Sequence, residues 1–186
     1  MNDEKFVSQL KKGDSEAYNT LISAFSKKLY YLCLKILGNS TDAEDAVQTT
    51  FLKVYKGISS FEKRSGLSTW IYKIAINTCN DMLRKKIREN VMPFPEYDSE
   101  NFFEPADDSE SVEDTILRRE REKLVYNCIH KLSPGHKKFI VLRDLEGLSY
   151  LEISQILDIN IGTVKSGINR ARSKLMNLIR ETEGEI

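Results

Sequence analysis

The sequence is poor in the residues that build metal and redox sites. It holds two histidines and three cysteines among 186 residues. Cys33, Cys79 and Cys128 lie 46 and 49 residues apart. That spacing fits no compact zinc motif, and an odd count fits a reducing compartment. Each cysteine sits among apolar neighbours at helical spacing and reads as a small core residue. His130 and His136 have no ligand set around them, so no metal and no cofactor is expected. No apolar run approaches the roughly 20 residues of a membrane span, and residues 1–12 lack the apolar stretch of a signal peptide. A cytoplasmic protein without membrane insertion is expected. Long alternating runs are also missing, which argues against a sheet.

Net charge is missing too: Lys+Arg and Asp+Glu number 28 each. The signs are segregated, however. From Lys63 to Met92 seven basic residues face two acidic ones, and from Ile159 to Arg180 there are five basic residues and no acidic one. Between Val91 and Leu117 stand nine acidic residues and no basic one. Three of the four prolines, Pro93, Pro95 and Pro105, fall in this acidic stretch. Proline resists helix and like charges repel, so the stretch reads as an extended linker between two positive modules.

What is present is helical periodicity. Ile22, Phe25, Leu29, Leu32, Cys33 and Ile36 form one apolar stripe, which Gly38 stops. Thr41 and Glu44 have the spacing of a capping box, opening a helix with Val47, Phe51, Val54 and Ile58 inward. Ser68 or Thr69 is placed to cap a helix carrying Ile71, Ile74, Ala75, Thr78 and Met82. In the second module Leu124, Val125, Cys128 and Leu132 share a face. Ser133-Pro134 opens a helix with Phe139, Ile140 and Leu142, ending at Gly147. Ser149 to Glu152 is a second capping box, before Ile153, Ile156 and Leu157. A turn over 158–160 leads to a last helix with Val164, Ile168, Ala171, Leu175 and Leu178 inward. The fold class expected is all-α: two small helical domains joined by an acidic flexible linker, the second a helix-turn-helix domain.

Three surfaces carry chemistry. Helix, turn and basic helix over 149–175 form a helix-turn-helix, whose second helix enters the major groove. Lys165, Ser166, Asn169 and Arg170 fall on its outer faces, and their side chains suit base edges. Arg172 and Lys174 suit phosphates. In the first module Lys73, Asn77, Asn80, Arg84 and Arg88 recur at helical spacing, with Trp70 one turn before. An aromatic beside cations suits single-stranded nucleic acid; the same tryptophan also fits a core position. Asp42, Glu44 and Asp45 favour the start of their helix through its dipole. Gln48, Thr49, Leu52, Lys53 and Lys56 make a mixed outer face suited to a protein partner. An enzyme built on the Asp42–Asp45 carboxylates lacks partner residues, so no catalytic residue is expected.

Three segments resemble one family in order. Asp42-Ala-Glu-Asp-Ala-Val-Gln-Thr-Thr-Phe-Leu-Lys-Val-Tyr resembles the polymerase-binding helix of bacterial extracytoplasmic-function sigma factors. Ser68-Thr-Trp-Ile-Tyr-Lys-Ile-Ala-Ile-Asn-Thr-Cys-Asn-Asp resembles their helix for promoter melting. Leu142-Arg-Asp-Leu-Glu-Gly-Leu-Ser-Tyr-Leu-Glu-Ile, with Ile161-Gly-Thr-Val-Lys-Ser and Arg170-Ala-Arg, resembles their minus-thirty-five reader. The resemblance covers nearly the whole chain. It implies a core-polymerase and minus-ten domain over 1–90, an acidic linker over 91–115 and a minus-thirty-five domain over 116–186. It implies polymerase contacts by Asp42, Asp45, Gln48, Thr49, Leu52, Lys53 and Lys56. Minus-ten contacts would come from Lys63, Arg64, Ser68, Trp70, Lys73, Asn77, Asn80 and Arg84, and minus-thirty-five contacts from Thr163, Lys165, Ser166, Asn169, Arg170 and Lys174. The implied partners are core RNA polymerase, promoter DNA and an anti-sigma factor, with the acidic linker threading near the RNA path. The alternative is a stand-alone helix-turn-helix regulator, which leaves the Trp70 helix, the Asp42 helix and the linker unexplained. One departure stands out: the family commonly has a basic residue where this sequence has Gly167. A Gly167→Arg change is expected to raise helix propensity and add a cation near the DNA backbone.

Overall fold

A computed structural model describes residues 3–62, 64–89 and 112–184, with backbone alone for Asp3 and 112–117. Every regular element among them is helical: α1 (Asp3–Lys11), α2 (Ser15–Leu37), α3 (Ser40–Gly57), α4 (Leu67–Arg88), α5 (Val112–Lys131), α6 (Pro134–Ile140), α7 (Tyr150–Leu157) and α8 (Ile161–Glu183). Most of the expected linker lies outside the described residues. Its last four positions, 112–115, are already the start of α5.

In the first module α2, α3 and α4 pack on one another, with α1 laid against α2. Asp14 caps α2 by accepting from the Glu16 and Ala17 amides at 2.9 and 3.1 Å. Gly38, at φ 87°, ends it with its N–H on the Leu34 carbonyl. The left-handed turn there favours glycine. Asn39 follows at once and caps α3 through the Asp42 amide at 2.8 Å, so α2 and α3 meet at a two-residue corner. The expected Thr41 capping box is not formed; Thr41 lies exposed inside the helix. The side chain of Asn39, two residues earlier, accepts from the Asp42 amide and donates to the Asp42 carboxylate, so the helix starts before Thr41 can cap it. The start of α4 also differs: its cap is Gly66 without a side-chain bond, and Thr69 is buried. Small residues on α3, Ala43, Ala46 and Thr50, are fully buried beside Leu29, Leu32 and Cys33 of α2 and Ile71, Ala75 and Cys79 of α4. α1, which the periodicity did not single out, adds Phe6, Val7 and Leu10 to this core.

In the second module α5, α6 and α7 pack on α8. The Ser133-Pro134 start of α6 and the Ser149–Glu152 capping box of α7 form as expected. Hydrogen bonds from Ser149 hold the Glu152 carboxyl below its usual range. α6 runs on into a π-helical turn, Val141–Leu145. Such turns insert an extra residue and recur at functional places. Here the Glu146 amide closes it on Val141 at 2.9 Å. Between α5 and α6, burial first and then the Lys137 charge lower the His130 imidazole to about 4. Burial lowers the Lys137 ammonium to about 8.

The two modules are packed together. α7 lies against α4, and α6 with its π turn touches α2. Their buried apolar residues form one continuous cluster.

Candidate nucleic-acid interface

α8 presents an exposed cationic face. Its cap, Asn160, accepts from the Thr163 amide at 2.7 Å and hydroxyl at 2.9 Å. Val164, Ile168 and Ala171 are fully buried, which turns Thr163, Lys165, Ser166, Asn169, Arg170 and Lys174 to solvent. All six expected residues thus share the outer side of one helix. Among the described residues no ion pair ties Lys165, Arg170 or Lys174. Arg172 differs. Its guanidinium binds both oxygens of Asp144 in the π turn, with Nε to Oδ2 at 3.2 Å. It fastens α8 to the π turn after α6 instead of standing free for phosphate.

Gly167 is buried on the opposite side. A Cβ built there would lie 2.4 Å from Cζ of Phe139 and 2.6 Å from its Cε2. The glycine therefore lets α8 press onto the Phe139 ring of α6. The expected phosphate-side role for this position is overturned, because a side chain at 167 points into the ring and not toward DNA.

The α4 stripe is largely brought together. Lys73, Asn77, Asn80 and Arg84 line one face, Asn77 and Arg84 exposed, Lys73 and Asn80 half-buried. Three described cations in and near it are paired: Lys73 with Asp158 at 3.5 Å, Arg84 with Asp81 at 3.7 Å, Arg64 with Glu62 at 2.7 Å; Arg88 stands exposed at its end. Ser68 is exposed, and Lys63 lies outside the described residues. Trp70 is half-buried, its ring 5.1 Å from Phe61 and close over Gly57. One side of the indole serves packing.

On α3, Asp45, Gln48, Leu52 and Lys56 are exposed and Thr49 half-exposed. Two expected members turn elsewhere. Asp42 is held by Asn39 and Lys86. Lys53 reaches α4, 3.0 Å from Thr78 Oγ1 and 3.7 Å from Asp81. The sequence reading missed an apolar groove of about 610 Å³ beside this face, lined by Tyr18, Leu21 and Ile22 of α2 and Phe51, Leu52 and Tyr55 of α3. Ile22, assigned inward by periodicity, is 42% exposed there, and Leu52 and Tyr55 are each 60% exposed. The signal was the adjacent pair Phe51-Leu52, which cannot share one buried stripe.

Residues 21–89 match the family Sigma-70 region 2, and residues 122–175 match Sigma-70, region 4. The ECF RNA polymerase sigma-E factor of Haemophilus influenzae is 36% identical over 97% of this chain and 96% of its own length. The chain belongs to the extracytoplasmic-function sigma factors. The ECF sigma factor SigW of Bacillus subtilis is 34% identical over 96% of the chain and 97% of its own. A solved structure of the sigma factor RpoE of Bartonella quintana, with the anti-sigma factor NepR, is similar at TM-score 0.69. It is 24% identical and covers 88% of this chain and 96% of that one; it supports the all-helical fold. As a sigma factor the chain directs core RNA polymerase to specific promoters and takes part in opening them. It binds polymerase and promoter DNA, and is not a stand-alone regulator.

Proposed function

We propose a division of labour among three helices of this sigma factor. α8 reads the minus-thirty-five duplex through Thr163, Lys165, Ser166, Asn169 and Arg170, with Lys174 on phosphate. α4 takes the separated minus-ten strand along Lys73, Asn77, Asn80 and Arg84, with Lys63, Arg64 and Ser68 from the preceding loop. Trp70 offers that strand only its outward edge. α3 docks core polymerase through Asp45, Gln48, Thr49, Leu52 and Lys56, and the groove beside Leu52 receives an apolar side chain of the partner. Asp42 and Lys53 support this face from within. The observation that carries this reading is the α8 face, where three cations stand without an acidic partner among the described residues. Domain limits near 90 and 116 follow the same division, with the acidic stretch between them passing the basic RNA path. The chain works in the cytoplasm without catalytic chemistry of its own. An anti-sigma factor is a further partner, supported by the relative from Bartonella quintana, whose structure is a complex with one.

The test pairs two variants. Asp45→Lys with Gln48→Lys should weaken capture by core polymerase and leave the DNA affinity of the chain intact. Lys165→Ala should do the reverse. If both variants lower both activities equally, the division of labour is wrong.

A further inference from the structure

α1 ends against the segment that leads into α4. Its last residue, Lys11, is held from both sides along the chain. Before it, Phe6, Val7 and Leu10 are buried in the first module. After it, Gly13 at φ 78° turns the chain at once into the Asp14 cap of α2, a left-handed turn that favours glycine. The backbone of Lys11 is therefore set, and its side chain reaches a residue 50 positions further on. Lys11 Nζ donates to the Phe61 carbonyl at 2.8 Å.

Phe61 is where the chain leaves a short 3₁₀ turn, Ile58–Ser60, for extended backbone. Its N–H is already committed to the Ile58 carbonyl at 3.1 Å. Carbonyls at the end of a helical turn lack a partner within it. An ammonium supplies one here, in a charge-assisted bond stronger than a neutral one. The same residue supports the indole. Phe61 is 5% exposed, and its ring stands 5.1 Å from that of Trp70. The Trp70 amide in turn closes on the Gly66 carbonyl at 3.1 Å. Phe61 thus carries two contacts, its backbone to α1 and its ring to the first turn of α4. Arg64 and Ser68, both exposed, lie in the stretch between Phe61 and Trp70. Lys11 is the part of this base that comes from outside residues 57–70.

We propose that Lys11 is a positioning residue for promoter opening: through Phe61 it holds Trp70 and Arg64 in place to receive the separated strand, and α1 is the brace of the minus-ten reader. The proposal rests on the assignment of the Trp70 segment to the minus-ten strand. The Lys11 ammonium is engaged with Phe61, so its effect on the strand passes through that residue. A strand received by groups already held costs less ordering entropy than one received by groups that must first settle.

The test uses the full chain with core polymerase, on a promoter chosen by the wild-type holoenzyme from a random library. Trp70 is the single tryptophan, so its emission reports the base directly. Lys11→Met keeps most of the stem and removes the donor. It should shift Trp70 emission to the red and slow permanganate-detected strand opening about three- to tenfold. Core capture and closed-complex affinity should stay unchanged. Lys11→Arg keeps a donor and should restore both emission and opening rate. Wild-type opening by Lys11→Met overturns the proposal, as does slow opening that Lys11→Arg fails to restore. Equal losses in closed-complex affinity and opening rate overturn it too. Trp70→Ala separates the two readings. If that chain also opens the promoter at the wild-type rate, the minus-ten assignment has failed; the brace itself then falls only if Lys11→Met leaves Trp70 emission unshifted. Should Lys11→Met not fold, Lys11→Gln, with its shorter reach, carries the same readouts.

Discussion

At the scale of single residues, Gly167 reverses the expectation drawn from its type. A helix-interior glycine normally gains about 0.5–1 kcal/mol on becoming alanine. Here the added carbon meets the Phe139 ring, and overpacking costs about 1–3 kcal/mol. Gly167→Ala should lower the melting temperature of the chain, and Gly167→Arg should lower it further without tightening DNA binding. An unchanged melting temperature for Gly167→Ala would show that α6 yields freely. His130 supplies a second test. Its proton is bound more weakly in the folded chain, at about 4, than in an unfolded one, at about 6.5. The unfolded state then gains protons first as pH falls, so stability is complete above about 6.5 and is lost down to about 4. Lys137 acts the same way at higher pH: stability rises between about 8 and its usual value near 10.4. Melting curves of wild type and His130→Gln should run parallel above about pH 6.5 and change separation toward pH 4, where wild type alone loses this stability. Curves parallel throughout would remove the imidazole from the account. On α8, Arg170→Ala should alter which minus-thirty-five bases are preferred, at about 1–3 kcal/mol. Lys174→Ala should weaken all sequences alike and reduce the salt slope by about one. A binding-site selection and a salt titration on each variant check this.

At the scale of elements, much was legible because helical periodicity and caps act locally. The stripe of α2, its stop at Gly38, the capping box of α7 and the inward set Val164, Ile168 and Ala171 are all written in short windows. Two helix starts were misread. Thr41 and Ser68 look like caps by type, while Asn39 and Gly66 occupy the cap positions, and several polar residues compete within one turn. Asn39→Ala should cost about 1 kcal/mol in the thermal stability of the chain, whereas Thr41→Ala should cost little; equal losses would reinstate Thr41. The candidate surfaces were readable as stripes, but not the state of their charges. Lys86 takes Asp42 from 44 residues away, and Arg172 takes Asp144 from 28. Pairings across elements leave no trace in spacing. The groove beside Leu52 was hidden for the same reason, since it needs α2 and α3 side by side.

At the scale of the whole molecule, the charge that cancels in the sum is used locally, with opposite signs facing each other across the modules at Lys35–Glu146 and Lys73–Asp158. The second of these pairs is solvent-exposed on the Asp158 side, 87%, and salt screens such pairs. The Glu146 pair is nearly closed to solvent and should persist. Raising the ionic strength should therefore loosen the far end of α7 without separating the modules. Hydrogen exchange at 157–160 should quicken with salt while exchange along α2 around Lys35 stays constant; quickening at both would shift the weight to Lys73–Asp158.

The two-residue corner at Gly38 and Asn39 has a consequence in time. It lets α2, α3 and α4 find one another through neighbours close in sequence, and such local topologies fold in microseconds to milliseconds. The partner of Lys35, by contrast, is 111 residues further on. At about 5–20 residues per second, the 95 residues from Arg88 to Glu183 take roughly 5–20 s to synthesise. Each nascent chain thus passes seconds on the ribosome with a finished first module and a bare α4. In that interval the α4 stripe stands without the α7 that later lies on it.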